Sequence, residues 1–281
     1  MEAGDLIGVD AALDFPVFYK LPWVTKGLVP PIEVANLFEH RKQVQRGIIS
    51  THGEASKFFV TFVDNHDQHQ RFYYKDSNNP HRFDDQVGIG IGCLFTLQGI
   101  PCLYYGTEQG LHGAGGRREA VREALWGMPK AFDRNHAFYR LVQQLTSLRQ
   151  SQPPLRYGRQ YFRPLSGDGV HFGISPFPSG VLAFSRILQD QEIVIVANTN
   201  TQSSWAGEVI VDFSINPVSS NYQAIFSNKA GDQVVSPGSV IEKAASSVEV
   251  REVDGSVNHG PLRVLPVTLQ PMEIQIMCRT N

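Results

Sequence analysis

The texture of this chain changes once, at Gln152-Pro153-Pro154, and that change constrains its fold more than any other feature. Before it, strand-like and helix-like segments alternate. After it come short β-type runs separated by Pro, Gly and Asp, with no helical period. Strands alternating with helices imply right-handed βαβ units and a parallel sheet, whereas closely spaced short strands imply an antiparallel sandwich. The pattern predicts an α/β region over 1–152 and an all-β region over 153–281, a division that suits 281 residues.

In the first region the apolar run at 11–15 stops at Pro16, and helical spacing over 32–46 places Val34, Leu37, Phe38 and Val44 near one face. Residues 57–63 (KFFVTFV) are apolar without alternation, as strands buried on both faces are. A helix is predicted over 84–98, a strand over 102–105 and an amphipathic helix over 132–149. Gly88-Ile89-Gly90-Ile91-Gly92 lies inside a helix pattern with the wrong spacing for a dinucleotide loop. In the second region, strands are predicted over 181–188, 193–198, 208–213, 222–226, 248–253 and 273–278.

Charge and cysteines exclude several classes. A net charge of −2 gives no basic field for nucleic acid, and Arg41-Lys42 and Arg117-Arg118 read as solvated clusters. No stretch approaches the about 18 uncharged apolar residues of a membrane helix, and the first residues lack a signal-peptide pattern. Cys93, Cys102 and Cys278, three at irregular spacing among apolar neighbours, read as buried free thiols.

The chemistry concentrates where the 57–63 strand runs into Asp64-Asn65-His66-Asp67. Polar residues ending a strand of a closed (β/α) barrel face its active-site mouth. The same four residues also suit an ordinary turn in which Asp and Asn bond their own backbone. A metal site joining His66, Asp67 and His69 with His52 or His81 ranks below the turn.

"FVDNHD", followed after one helix by "GIPCLYYGTEQG", resembles the fourth conserved region and eighth strand of the α-amylase superfamily, glycoside hydrolase family 13. "GVDAALDFPVFYKL" resembles its sixth barrel strand. "REALWG", "LVQQLTSLRQ" and "LPVTLQPMEIQIM" resemble the loop, the last barrel helix and the closing strand of its C-terminal β-domain. The resemblance implies about the last three βα units of a (β/α)8 barrel followed by an antiparallel β-sandwich, and α-glucan or oligosaccharide as ligand. It implies that Asp67 is the third catalytic carboxylate, binding sugar hydroxyls in an oxocarbenium-like transition state. It implies that His66 bonds the sugar before the scissile bond, with Asn65 orienting the pair. Tyr104, Tyr105 and Glu108 read as mouth or core residues, and Arg71 as a sugar contact or an ion-pair partner of Asp64 or Asp67.

Retaining glycosidases need two carboxyl groups about 5–5.5 Å apart. The family's nucleophile sits in a Gly-x-Arg-x-Asp context and its acid/base is a Glu ending the fifth strand. Neither context occurs in these 281 residues, and Glu2 has no strand before it. The expectation is a C-terminal portion that is inactive alone, with a split enzyme or a non-catalytic glycan-binding module as alternatives. No cofactor is expected here; calcium in a full-length member would draw on other regions. Exposed barrel edges predict self-association or a covering partner chain.

Overall fold

The computed structural model describes residues 11–45, 55–113, 118–229, 238–244, 250–252 and 254–280. Three short parallel strands organise the first region: β1 (Ala12–Leu13), β2 (Phe59–Thr61) and β3 (Ile100–Pro101), in that order across the sheet. Between β1 and β2 lie α1 (Phe15–Phe18), α2 (Leu21–Thr25) and α3 (Ile32–Gln45); α4 (Asp84–Thr96) separates β2 from β3. Asp14 ends β1 and caps α1, its Oδ1 accepting the Val17 N–H at 3.1 Å. Its carboxylate is then clamped by both terminal nitrogens of Arg41 on α3, so Arg41 is buried rather than solvated.

Sheet edges differ from the sequence expectation. Ala55–Phe58 is a 3-10 turn, so β2 starts at Phe59. The third strand lies at 100–101, just before the predicted 102–105. Gly99, at φ +132, turns α4 directly into it. Val44 is exposed near the end of α3, away from the face that buries Val34 and Phe38.

The helix α4 is buried around most of its circumference, and its glycines explain how. A Cβ at Gly90 would overlap the Phe72 ring, while one at Gly92 would meet Ile274 and one at Gly88 Asn228. Gly88 and Gly92, one turn apart, face the second region, and Gly90 faces the loop after β2. One apolar core accordingly runs from Val17, Ile89 and Leu94 to Phe184, Ile195 and Ile276.

The last helix of the first region, α5 (Ala137–Ser151), begins later than the predicted 132 because Lys130 and Phe132 adopt positive φ and His136 Nδ1 caps the Phe138 N–H. A short α6 (Pro153–Tyr157) follows, then β4 (Arg159–Phe162), β5 (Leu165–Ser166), β6 (Val181–Leu188), β7 (Gln191–Asn198) and β8 (Trp205–Val211). The chain continues through β9 (Tyr222–Ser227), β10 (Ile241–Lys243), β11 (Val250–Arg251), β12 (Val257–Asn258), β13 (Leu262–Leu269) and β14 (Ile274–Arg279). These form two main antiparallel sheets, β4-β6-β7-β14-β9 and β10-β13-β8-β5, with β11-β12 as a separate pair. Val194, Val196 and Met277 of the first sheet share a core with Val209, Leu265 and Val267 of the second. The three thiols are free, but only Cys93 is buried; Cys102 is exposed where it leaves β3.

Candidate functional site

β2 ends at Thr61, and the buried Phe62 and Val63 carry the chain out of the sheet. Phe62 is held by Phe18, stacked at 5.1 Å, and by Phe15, edge-on at 5.2 Å. The next four residues then divide between inside and outside.

Asp64 turns inward. Its Oδ2 accepts the Phe72 N–H at 2.9 Å and the Thr107 hydroxyl at 3.5 Å, while its Oδ1 has no hydrogen-bond partner. Burial raises its pKa; the Phe72 N–H, the Thr107 hydroxyl and the charges of Arg71 and Lys26 oppose that shift. Asp64 therefore acts as a structural acceptor closing the loop from 64 to 72.

Asn65 begins the outward turn. Its Oδ1 accepts the Asp67 N–H at 2.9 Å, an Asx turn of the kind these residues favour. His66 and Asp67 follow at the surface, their side chains 62% and 59% exposed, with His66 Nε2 3.3 Å from Asp67 Oδ1. The structure thus brings Asn65, His66 and Asp67 together in one turn.

A fourth residue joins them from far along the chain. Arg122 ends a 3-10 turn (Arg118–Arg122), donates from Nε to the His66 carbonyl at 3.0 Å and places Nη2 3.3 Å from Asp67 Oδ1. The motif "REALWG" marked this segment as a loop but gave no sign that its arginine would reach Asp67. The exposed ion pair itself adds little stability; its effect is to hold the acceptor oxygen in place.

Arg71 does not contact Asp67. Its fully buried guanidinium donates to the Tyr105 carbonyl at 2.7 Å and lies 4.4 Å from the Tyr104 ring centroid. Arg71 Nε stands 3.3 Å from Glu123 Oε2, an ion pair without hydrogen-bond alignment. The Tyr104 hydroxyl donates to the Val121 carbonyl at 3.2 Å and the Tyr105 hydroxyl to the Glu123 carbonyl at 2.8 Å. Burial first, then its contact with Tyr105, pushes the Tyr104 pKa up to about 12. The two tyrosines therefore brace the Arg122 segment against the end of β3. Glu108 sits in the 3-10 turn Thr107–Gln109.

His52 and Glu2 lie outside the described residues. His81 pairs with Asp84 at 2.8 Å. Among the described residues no group of three or more His, Cys, Asp or Glu side chains could hold a metal ion, and no described helix is long and apolar enough to cross a membrane.

No family model matches the chain. Sequence relatives are nevertheless consistent. A cyclomaltodextrin glucanotransferase from Geobacillus stearothermophilus is 30% identical over 147 residues, covering 52% of this chain and 17% of the relative. One from Bacillus sp. (strain 1-1) is 38% identical over 109 residues, 39% of this chain and 14% of the relative. An α-amylase from Niallia circulans is 25% identical over 180 residues, 64% of this chain and 29% of the relative. Among solved structures, an Anoxybacillus α-amylase superposes with a TM-score of 0.62 at 21% identity, over 97% of this chain and 48% of its own. A three-domain cyclomaltodextrin glucanotransferase, CldA, gives 0.63 at 21%, over 96% and 44%. The chain spans less than a third of the length of these curated relatives and about half that of the solved structures. Sequence relatives, shared fold and strand-end motif agree: the chain is related to the cyclomaltodextrin glucanotransferases and α-amylases, the superfamily that its motifs resemble.

Proposed function

We propose that residues 1–152 supply the last βα units of an α-amylase-type (β/α)8 barrel, that 153–281 form its C-terminal β-sandwich, and that the chain grips α-glucans at Asp67. The observation that carries this reading is the divided strand end. Asp64 is buried as a brace, while Asp67 is turned outward by Asn65 and steadied by His66 and Arg122. A carboxylate held at an open rim accepts hydrogen bonds from sugar hydroxyls. Where positive charge develops on the ring those bonds strengthen, so such a group binds transition state better than ground state. His66 adds a second polar contact. The nucleophile and acid/base contexts are missing from these residues, so the chain alone binds without cleaving. No cofactor is needed for that role.

Calorimetry with maltotriose and maltoheptaose, beside a reducing-sugar assay, tests this. The expected result is binding without turnover, weakened by Asp67→Ala. That variant should keep its circular dichroism and lose no more than about 0.5 kcal/mol of stability, because the side chain packs against little. Turnover by rigorously purified protein that vanishes in Asp67→Ala would refute the inactivity, and absence of saccharide binding would refute the whole reading.

A second reading, pairing with a partner chain or another copy, is favoured by one observation. Leu13, Val60 and Ile100 are matched across β1, β2 and β3 as a single apolar row, with Leu13 56% and Ile100 45% exposed. Parallel sheets are normally covered on both faces. Sedimentation should reveal association that Leu13→Lys and Ile100→Lys weaken; a monomer at all concentrations would reject self-association.

A further inference from the structure

Beside the turn that carries Asp67 lies a cavity of about 180 Å³. One wall comes from Trp23 and Lys26, in and just after α2, and the other from Gln68, His69, Gln70 and Arg71. Trp23 is half-exposed. The Lys26 ammonium stands 5.0 Å from the centroid of the Phe72 ring and makes no hydrogen bond or ion pair among the described residues. The side chains of Gln68, His69 and Gln70 likewise make no hydrogen bond there. The cavity therefore collects two amides, an imidazole and an ammonium with uncommitted bonding capacity beside an indole face.

Net charge argues for a neutral occupant. Arg71 already has Glu123 Oε2 at 3.3 Å and Asp64 lies near both Arg71 and Lys26, so acidic and basic groups are mixed around the cavity and neither sign dominates it. A volume of about 180 Å³ gives room for one pyranose ring. An indole packs against the C–H face of such a ring, and amides bond its hydroxyls. Gln70 follows Asp67 by three residues, a span of at most about 10 Å, so one oligosaccharide can reach both places.

We propose that this cavity is a second saccharide subsite, holding one neutral glucose unit of a chain whose other units lie at Asp67. The inference rests on the α-glucan reading above. Trp23 supplies the stacking face, and Lys26, Gln68 and Gln70 supply the hydroxyl contacts.

Calorimetric titration with maltotriose tests it on the wild type, Trp23→Ala, Lys26→Met, Asp67→Ala and Trp126→Ala, each first checked by circular dichroism. Loss of a stacking face or of the ammonium is expected to weaken binding about tenfold. Trp126 is 89% exposed and does not line the cavity, so its variant should bind like wild type. Lys26→Met keeps the aliphatic stem and decides the matter should Trp23→Ala misfold. Wild-type affinity in the cavity variants, with affinity lost only in Asp67→Ala, overturns the subsite and leaves the α-glucan reading standing. A wild type that binds no maltotriose overturns both. Binding of inorganic phosphate that Lys26→Met abolishes, with maltotriose binding unchanged in that variant, assigns the cavity to an anion and overturns the proposal.

Discussion

The glycines of α4 give the sharpest test of how this fold holds its site. Replacing Gly90 or Gly92 by Ala removes the same conformational freedom and gains the same helix propensity, about 0.8–1 kcal/mol. The surroundings differ. At Gly90 the new methyl would sit inside the contact distance of two Phe72 ring atoms, with a third at 3.3 Å. Phe72 is buried, its N–H is bound to Asp64 and its ring lies beneath Lys26. The ring can yield only by moving with that loop, and such overpacking typically costs about 1–3 kcal/mol. At Gly92 the tight contacts are with one aliphatic side chain, the terminal Cδ1 of Ile274 at 2.9 Å and its Cγ2 at 3.2 Å, neither as close as the Phe72 ring atoms at Gly90. With Phe72 ring atoms this close at Gly90, the overpacking cost there lies in the upper half of that range, about 2–3 kcal/mol. The net expectation is a loss of roughly 1–2 kcal/mol for Gly90→Ala and a change between about −0.5 and +1 kcal/mol for Gly92→Ala. Urea unfolding at equilibrium, with unchanged slopes confirming comparable transitions, would measure both. A Gly90→Ala variant as stable as wild type, or a Gly92→Ala variant that loses more, would refute the reasoning.

Arg41→Met leaves the buried Asp14 carboxylate without its clamp and should cost about 3–5 kcal/mol, read as a large drop in the denaturation midpoint; a double variant with Asp14→Asn should recover part of that loss. In the second region, burial first and then the Asp212 carboxylate raise Glu252 from 4.5 to about 7, while the Phe213 N–H and Arg163 oppose the shift. A folded pKa above the unfolded one means the folded state holds the proton more tightly. The stabilisation is full below pH 4.5 and is lost as pH rises towards 7, by roughly 1–2 kcal/mol after discounting solvent screening. Stability measured from pH 4.5 to 8 should fall over that window, and Glu252→Gln should flatten the profile.

How much of this could be read in the sequence follows from how local each cause is. β6 is predicted to the residue, because its apolar run is bounded by a glycine turn and a two-residue hairpin. The Asx turn at Asn65 was equally local. The short helices α1 and α2 were not anticipated: Pro16 read as a stop, yet it sits in the first turn of α1, as Pro22 does in that of α2. β13 carries Pro266 inside an inner strand, opposite Glu208, against the usual confinement of proline to edges. The burial of Arg41 depends on Asp14, 27 residues away, and the reach of Arg122 to Asp67 crosses 55 residues. No period or spacing carries such contacts; they exist only once the sheet and its loops are assembled.

The division of labour at the strand end follows from the same assembly. Two carboxylates within four residues look redundant in sequence, yet one turn separates them into different solvents. Asp64 faces an interior where its charge is disfavoured and its Oδ2 ties together Phe72 and Thr107, from the loop after β2 and the turn after β3. Asp67 faces water and is positioned by neighbours that leave it open. For the α-glucan contact proposed above, an acceptor on an unanchored loop would lose its orientation, and a buried one would reach no saccharide. The inward aspartate ties down the loop from which the outward one projects, and Asn65, between them, turns the chain from one to the other.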